Sequence, residues 1–283
     1  MELVMQEKLS FFKIALFMLL ASTALADEPS YEFSVLNQRS AILSAQYWNP
    51  ILAYVRQRSG VTLRLKMGKT APETTALTIK GEAQFAYTNH LFTKERSQFG
   101  WKVIARPTTV GIRGQIVVPL GSAINRLEDL DNQSVAFPSA DAYAGYRVPM
   151  DAILRKGIKV TPLFAGNQEG AIGQLKSGRV VAAGVNEDVM AAFAKRENYA
   201  YRSIWSSEEF KDLPIMVSPS VPDADVRAVQ QALVGMLADP EGKKILEAGA
   251  QLLKLEEPVG FIVASDKDYV NYREFYRKTV LKD

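Results

Sequence analysis

No cysteine occurs among the 283 residues, so the chain has no disulfides, no thiol nucleophile and no thiolate metal site. Histidine is nearly absent too. His90 stands alone, which rules out a multi-histidine metal centre and leaves one candidate for any serine–histidine–acid triad. Neither sign of charge dominates: 34 basic against 31 acidic side chains give +3, too even to mark a nucleic-acid binder. Also missing are a Gly-x-Ser-x-Gly elbow, a P-loop and a dinucleotide fingerprint. Gly111-Ile112-Arg113-Gly114 has neither the length nor the lysine of a phosphate loop. No repeat, low-complexity tract or long block of like charge follows residue 27. These absences leave an ordinary folded chain with no catalytic constellation in view; no enzyme activity, cofactor or metal is expected.

The opening segment has a different composition from the rest. Lys8 and Lys13 form a positive region, and Phe11 to Leu20 is apolar apart from Lys13. Ala24-Leu25-Ala26 then places small residues where a signal peptidase reads them. Residues 1–26 are expected to be a cleaved secretory signal, with the mature chain starting at Asp27; a retained anchor helix is the alternative. The apolar run is short for a membrane span. Without a cysteine at the processing site, a lipoprotein is excluded.

From residue 31 onward, strand-like and helix-like segments alternate, which predicts α/β architecture. Strands are expected at Tyr31–Leu36, Val61–Lys66, Phe85–Thr88, Trp101–Arg106, Gln115–Pro119, Ser134–Phe137, Thr161–Phe164 and Val180–Val185. Asn49-Pro50 predicts a helix start ending at Gly60, and Thr70-Ala71-Pro72-Glu73 a capping box opening a second helix closed by Gly81. Further helices are expected over 144–156, over 168–177 with Asn167 as cap, after Asp223, after Asp239-Pro240, and from Asp266 to Leu281. Tyr269, Tyr272, Phe275 and Tyr276 recur at helical spacing and predict a core-facing stripe rather than a stacking platform for bases. The order fits two lobes: lobe 1 from residues 27–112 and 219–283, lobe 2 inserted as 113–218. Two crossing strands would form the hinge, with a ligand cleft between the lobes.

Several stretches then carry a likeness. Gly121-Ser122-Ala123-Ile124 leads to Leu127-Glu128-Asp129-Leu130, Ser134-Val135-Ala136-Phe137 and Ala144-Gly145-Tyr146-Arg147-Val148-Pro149. Gly166-Asn167-Gln168-Glu169, Ser177-Gly178-Arg179-Val180 and Pro258-Val259-Gly260-Phe261 before Asp268-Tyr269 follow in order. Together they resemble the periplasmic phosphonate-, phosphite- and phosphate-binding proteins of ABC importers over essentially the whole chain past the signal. The resemblance implies a two-lobed type II periplasmic-binding-protein fold. It also implies a soluble periplasmic protein that captures a small oxyanion and delivers it to an ABC permease. A protein of the same fold reporting to a membrane sensor kinase, or binding another organic solute, is the alternative. A monomer is expected, with no nucleic-acid partner.

The same resemblance suggests where a ligand would sit. In that family a Ser-Thr-Ser-Gly-Tyr turn at a helix start grips the anion with hydroxyls and backbone N–H groups. The matching stretch here is Ala142-Tyr143-Ala144-Gly145-Tyr146: glycine and tyrosine remain, but the three hydroxyl residues are replaced. Tyr143 offers a phenol and Ser139 lies upstream. A histidine followed by an acid at the next helix start is replaced by Gln168-Glu169, which brings no cationic contact. Both departures favour a less charged, larger ligand than a phosphonate dianion. The expected site is Tyr143, Ala144, Gly145, Tyr146 and Gln168, with Tyr47 beside Trp48, and Tyr87, Asn89 and Asn186 at strand ends, where α/β sheets gather ligands. Arg113 ranks below these as a surface or interlobe charge, and His90 is expected to be structural or merely exposed.

Overall fold

The computed structural model describes residues 28–109 and 111–281; the expected signal at 1–26 lies outside the described residues. In chain order, β1 (Ser30–Val35), α1 (Ala41–Ser59), β2 (Thr62–Lys66), α2 (Ala71–Ile79), β3 (Phe85–Tyr87) and β4 (Lys102–Pro107) come first. After them run β5 (Gly114–Pro119), β6 (Gln133–Phe137), a π-helical turn at Tyr143–Arg147 continuing into α3 (Val148–Arg155), and β7 (Val160–Phe164). The rest comprises α4 (Gln168–Lys176), β8 (Ala182–Asn186), α5 (Glu187–Glu197), β9 (Tyr201–Ser206), β10 (Ile215–Val217), α6 (Asp223–Gly235), α7 (Pro240–Leu253), β11 (Phe261–Val263) and α8 (Val270–Lys278).

The strands form two sheets, ordered β11-β4-β10-β3-β1-β2 and β7-β6-β8-β5-β9. In the first, β1 runs parallel to β2 and β3, while β10 lies antiparallel between β3 and β4. In the second, β6 is parallel to β7 and β8, and β5 is antiparallel to β8 and β9. Strand alternation divides the core of the second lobe: Ile116, Val118, Val135 and Phe137 pack on one face, Val117, Ala136 and Val185 on the other. Such a doubly covered sheet needs unbroken apolar runs, which Ile116–Val118 and Val135–Phe137 supply.

The chain passes between lobes twice, after β4 and after β9, and the two passages pair at Ile112 and Phe210 (N···O 2.7 and 2.9 Å). Because β10 already belongs to the first sheet, the chain is back in lobe 1 by Ile215, ahead of the expected boundary at 218/219. A third link comes from the C-terminus. Beyond α8, the Thr279 hydroxyl and Val280 N–H both donate to Asp151 Oδ1 of α3 at 2.8 Å, and Leu281 packs on the second lobe's core. Asp266 to Leu281 is thus not one helix: a 3-10 turn at Asp266–Tyr269 precedes α8, and Thr279 leaves it extended.

The first helix also corrects expectation. It begins at Ala41, capped by the Ser40 hydroxyl accepting from Leu43 N–H, and Asn49-Pro50 falls in its interior. Pro50 looks like a first-turn residue, but Ser44, Trp48, Ile51, Leu52 and Val55 bury one stripe through it, and that burial outweighs the break. Pro50→Ala restores the missing N–H to the ladder at an exposed position. It is expected to stabilise the protein by up to about 3 kcal/mol. A urea midpoint that fell instead would refute this expectation.

Candidate functional site

The lobes meet along one end of the cleft. Ala71 N–H donates to Gly166 O (3.0 Å) and Glu169 N–H to Gln38 O (3.3 Å), both across the gap. The Glu169 carboxylate accepts from Ser40 N–H at the start of α1, and Arg196 holds its other oxygen at 2.8 Å. Glu169 therefore places negative charge at a helix N-terminus of the opposite lobe, a favourable arrangement that fastens the lobes together. Arg96 to Asp141 (2.9 Å) adds a second charged link.

Two cavities follow from this contact. The larger, about 670 Å³, is walled by both lobes: Arg39, Tyr47, Trp48, Tyr87, Thr109 and Asp212 on one side, Asn186, Asp188 and Val189 on the other. A smaller one of about 20 Å³ lies deeper, between Asn37, Asn89 and His90 and the turn bearing Ala142, Tyr143 and Ala144, with Gln168 and Asn186 at its edge. That volume holds a single water.

The expected residues separate accordingly. Tyr47 and Tyr87 line the large cleft, Asn89, Tyr143, Ala144 and Gln168 the small one, and Asn186 borders both. Gly145 and Tyr146 line neither. A Cβ on Gly145 would meet Gln168 Nε2 at 2.6 Å, so the glycine is required for packing of that turn against α4. The Tyr146 ring packs edge-on against Phe137 and Phe164 within the second lobe. Tyr143 turns away from the cleft: its ring stacks on Tyr272 at 4.1 Å, and its hydroxyl has no hydrogen-bond partner among the described residues. The stripe Tyr269, Tyr272, Phe275 and Tyr276 packs into the core, as its spacing predicted. Asn186 caps α5, its Oδ1 accepting from Asp188 and Val189 N–H, while its own N–H donates to Gln168 Oε1.

Burial pushes the Tyr47 phenol up to about 12 and Tyr87 well above its ordinary value, so both present neutral hydroxyls. His90 is buried, its Nδ1 2.7 Å from the Thr75 hydroxyl, and burial pushes it down to about 4. It is a neutral ring at pH 7. Arg113 is paired with Glu187 and Glu209 at the surface. Among the described residues no cluster of histidine, cysteine or acidic side chains is placed to hold a metal.

Sequence reasoning missed the charged groups of the large cleft. Asp212 is buried in the cleft wall, accepts from Leu213 N–H (2.6 Å) and the Thr109 hydroxyl (3.2 Å), and burial raises its carboxyl to about 6. Asp188, in the first turn of α5, is also raised by burial. Arg39 sits just before the Ser40 cap and lines the same space. No local signal marks these three; Asp188 resembles any acid in a first helical turn.

Comparison with known proteins places this geometry in a class of two-lobed solute-binding proteins. A family model described as "ABC transporter, phosphonate, periplasmic substrate-binding protein" matches residues 33–269. Among solved structures, PhnD1 from Prochlorococcus marinus in complex with methylphosphonate superposes with a TM-score of 0.75 at 16% identity, covering 89% of this chain and 98% of that one. A binding protein component of an ABC phosphonate transporter from Pseudomonas aeruginosa gives 0.74 at 16% identity, with 88% and 86% covered. XAC2383 from Xanthomonas citri bound to ATP gives 0.67 at 15%, with 89% and 99% covered. No curated protein matches. The solved structures share the fold; the family model makes the chain a member of the periplasmic phosphonate-binding proteins of ABC transporters. It is a substrate-binding component and not an enzyme. Among the described residues no helix is long and apolar enough to cross a membrane.

Proposed function

We propose that this chain, exported and released from its signal at Ala26, acts as a monomer that captures a small phosphonate- or phosphate-type ligand between its lobes and presents it to an ABC permease. The observation that carries this reading is the cavity of about 670 Å³ whose walls come from both lobes. A ligand touching Tyr87 and Asn186 together gains those contacts only when the lobes are closed, so binding shifts the population toward closure. The permease then reads the closed shape, and no covalent step is required. Asp188 and Asp212 add a second feature. Carboxylates in a partly dehydrated cleft favour a ligand that carries a protonated amine beside its oxyanion.

Thermal melts and calorimetry on the chain from Asp27 test this, with phosphate, phosphite, methylphosphonate, an aminoalkylphosphonate, sulfate and phosphorus-free organic acids and amines. A ligand at 100 times its dissociation constant stabilises the native state by about 2.7 kcal/mol. Phosphorus oxyanions are expected to raise the melting temperature, the aminoalkylphosphonate most. A rise confined to phosphorus-free solutes would overturn the ligand assignment while leaving the capture mechanism intact.

A further inference from the structure

In the resemblance drawn from sequence, the anion is held against the turn at 142–146. Three observations move it elsewhere in this chain. The cavity beside that turn, at about 20 Å³, has room for one water but not for the four heavy atoms of a phosphonate head. The turn has no slack to enlarge it, because Gly145 is packed against Gln168 and Pro138, and Tyr143 and Tyr146 are committed to aromatic contacts in the core. Finally, the lobes are already joined by backbone hydrogen bonds next to it, Ala71 to Gly166 and Glu169 to Gln38.

The outer cleft has the space and also a cation. Of the basic residues that line it, Lys195 and Lys254 are exposed at the rim, where water and salt screen them. Arg39 is half-buried. Among the described residues it closes no hydrogen bond or ion pair within the chain; its charge acts only through space on Asp188 and Asp212, which face the same cleft and whose carboxyls it partly stabilises. Its planar guanidinium therefore keeps its forked donors for a partner from outside, and that fork matches two oxygens of a phosphonate or phosphate. Its backbone position is fixed on one side by the Ser40 cap of α1 and on the other by Gln38, whose carbonyl accepts from Glu169 in the second lobe. The donor is thus carried on the segment that changes environment when the lobes meet.

We propose that Arg39 is the residue that anchors the oxyanion in this protein, holding it in the outer cleft instead of against the turn at 142–146. This rests on the phosphorus-oxyanion reading above. It assigns specificity to a side chain on the first lobe, and explains how the hydroxyl residues of the turn could be replaced without losing an anion site.

Isothermal titration with methylphosphonate and with inorganic phosphate tests it, using the wild-type chain, Arg39→Gln, Arg39→Lys and Ser139→Ala. Outside the turn itself, Ser139 is the nearest buried hydroxyl in sequence, has no partner of its own among the described residues, and would be the serine donor if the anion sat there. Arg39→Gln is expected to weaken both ligands about 10- to 100-fold, the range for one charge-assisted pair, with an unchanged melting temperature of the ligand-free protein. Arg39→Lys recovers part of the loss, keeping charge but not the fork, and Ser139→Ala stays within about twofold of wild type. If Arg39→Gln binds as tightly as wild type, or if Ser139→Ala takes the loss, the anchor is elsewhere and the proposal fails while the ligand reading stands. If the wild-type chain binds neither probe, the ligand reading itself fails and takes the Arg39 assignment with it.

Discussion

Tyr143→Ala is expected to destabilise the protein by about 3–5 kcal/mol, whereas Tyr143→Phe is expected to leave stability unchanged or raise it slightly. The ring is 1% exposed and touches four aromatic neighbours. It stacks on Tyr272 at 4.1 Å, stands edge-on to Phe210 (5.0 Å) and Phe275 (5.1 Å), and is tilted to Tyr276 at 5.7 Å. Those partners come from the hinge passage and from α8, so alanine would open a void where the two lobes and the C-terminal helix converge. The structure around it is too constrained to collapse into that void, and the full cavity cost is expected. The hydroxyl is a separate matter. It is buried with no hydrogen-bond partner among the described residues, so its removal relieves an uncompensated desolvation. Urea denaturation of both variants gives the stability, and calorimetry with the best ligand gives the affinity. Unchanged affinity in Tyr143→Phe is the expected result; a loss of tenfold or more would show that the phenol reaches the ligand, as the family likeness of the turn had suggested.

That contrast between a side chain's sequence position and its direction shows where sequence reasoning reaches its limit. The alternation of strand and helix is local chemistry, and it was legible: Asn167, Thr70 and Asp239 each accept from the first helical turn of the helix they precede. The motifs that carried the family likeness were legible because they are collinear. What failed had competing local readings. Pro50 looks like a helix start, but a buried stripe continues through it. Asn186 at a strand end reads as a ligand group, and that reading hid α5, which it caps. The three-residue strand Ile215–Val217 is too short to show alternation, and its place between β3 and β4 is set by tertiary pairing alone. The charged cleft was invisible for a further reason. Arg39, Asp188 and Asp212 are scattered along the chain, and only the two passages between lobes bring them together. No spacing rule links groups that meet across a hinge.

Asp212 is the group for which that meeting has the largest thermodynamic consequence. Burial is the main cause that raises its carboxyl to about 6, with the charge of Asp188 adding to it and the Leu213 N–H, the Thr109 hydroxyl and the charge of Arg39 opposing it. A carboxyl whose folded-state value lies above its unfolded value of about 3.9 binds its proton more tightly when folded. Its ionisation is therefore a cost that is absent below about pH 4, grows between 4 and 6, and is fully present at neutral pH. A rise of about two pH units corresponds to about 3 kcal/mol, an upper bound for one group. Asp212→Asn removes the charge and can keep the bonds: the amide oxygen accepts from Leu213 N–H and the Tyr87 hydroxyl, and the amide nitrogen can donate to the hydroxyl oxygen of Thr109. The ligand-free variant is expected to be more stable than wild type by about 2–3 kcal/mol at pH 8, and equal to it at pH 4. Denaturant titrations at pH 4, 6 and 8 measure the difference; a variant that is no more stable at pH 8, or whose advantage does not shrink on acidification, would refute the assignment. Affinity should move the other way. A fixed negative charge held at a stability cost in the cleft has a use only if a ligand neutralises it, so Asp212→Asn should weaken an aminoalkylphosphonate about tenfold or more while leaving methylphosphonate almost untouched.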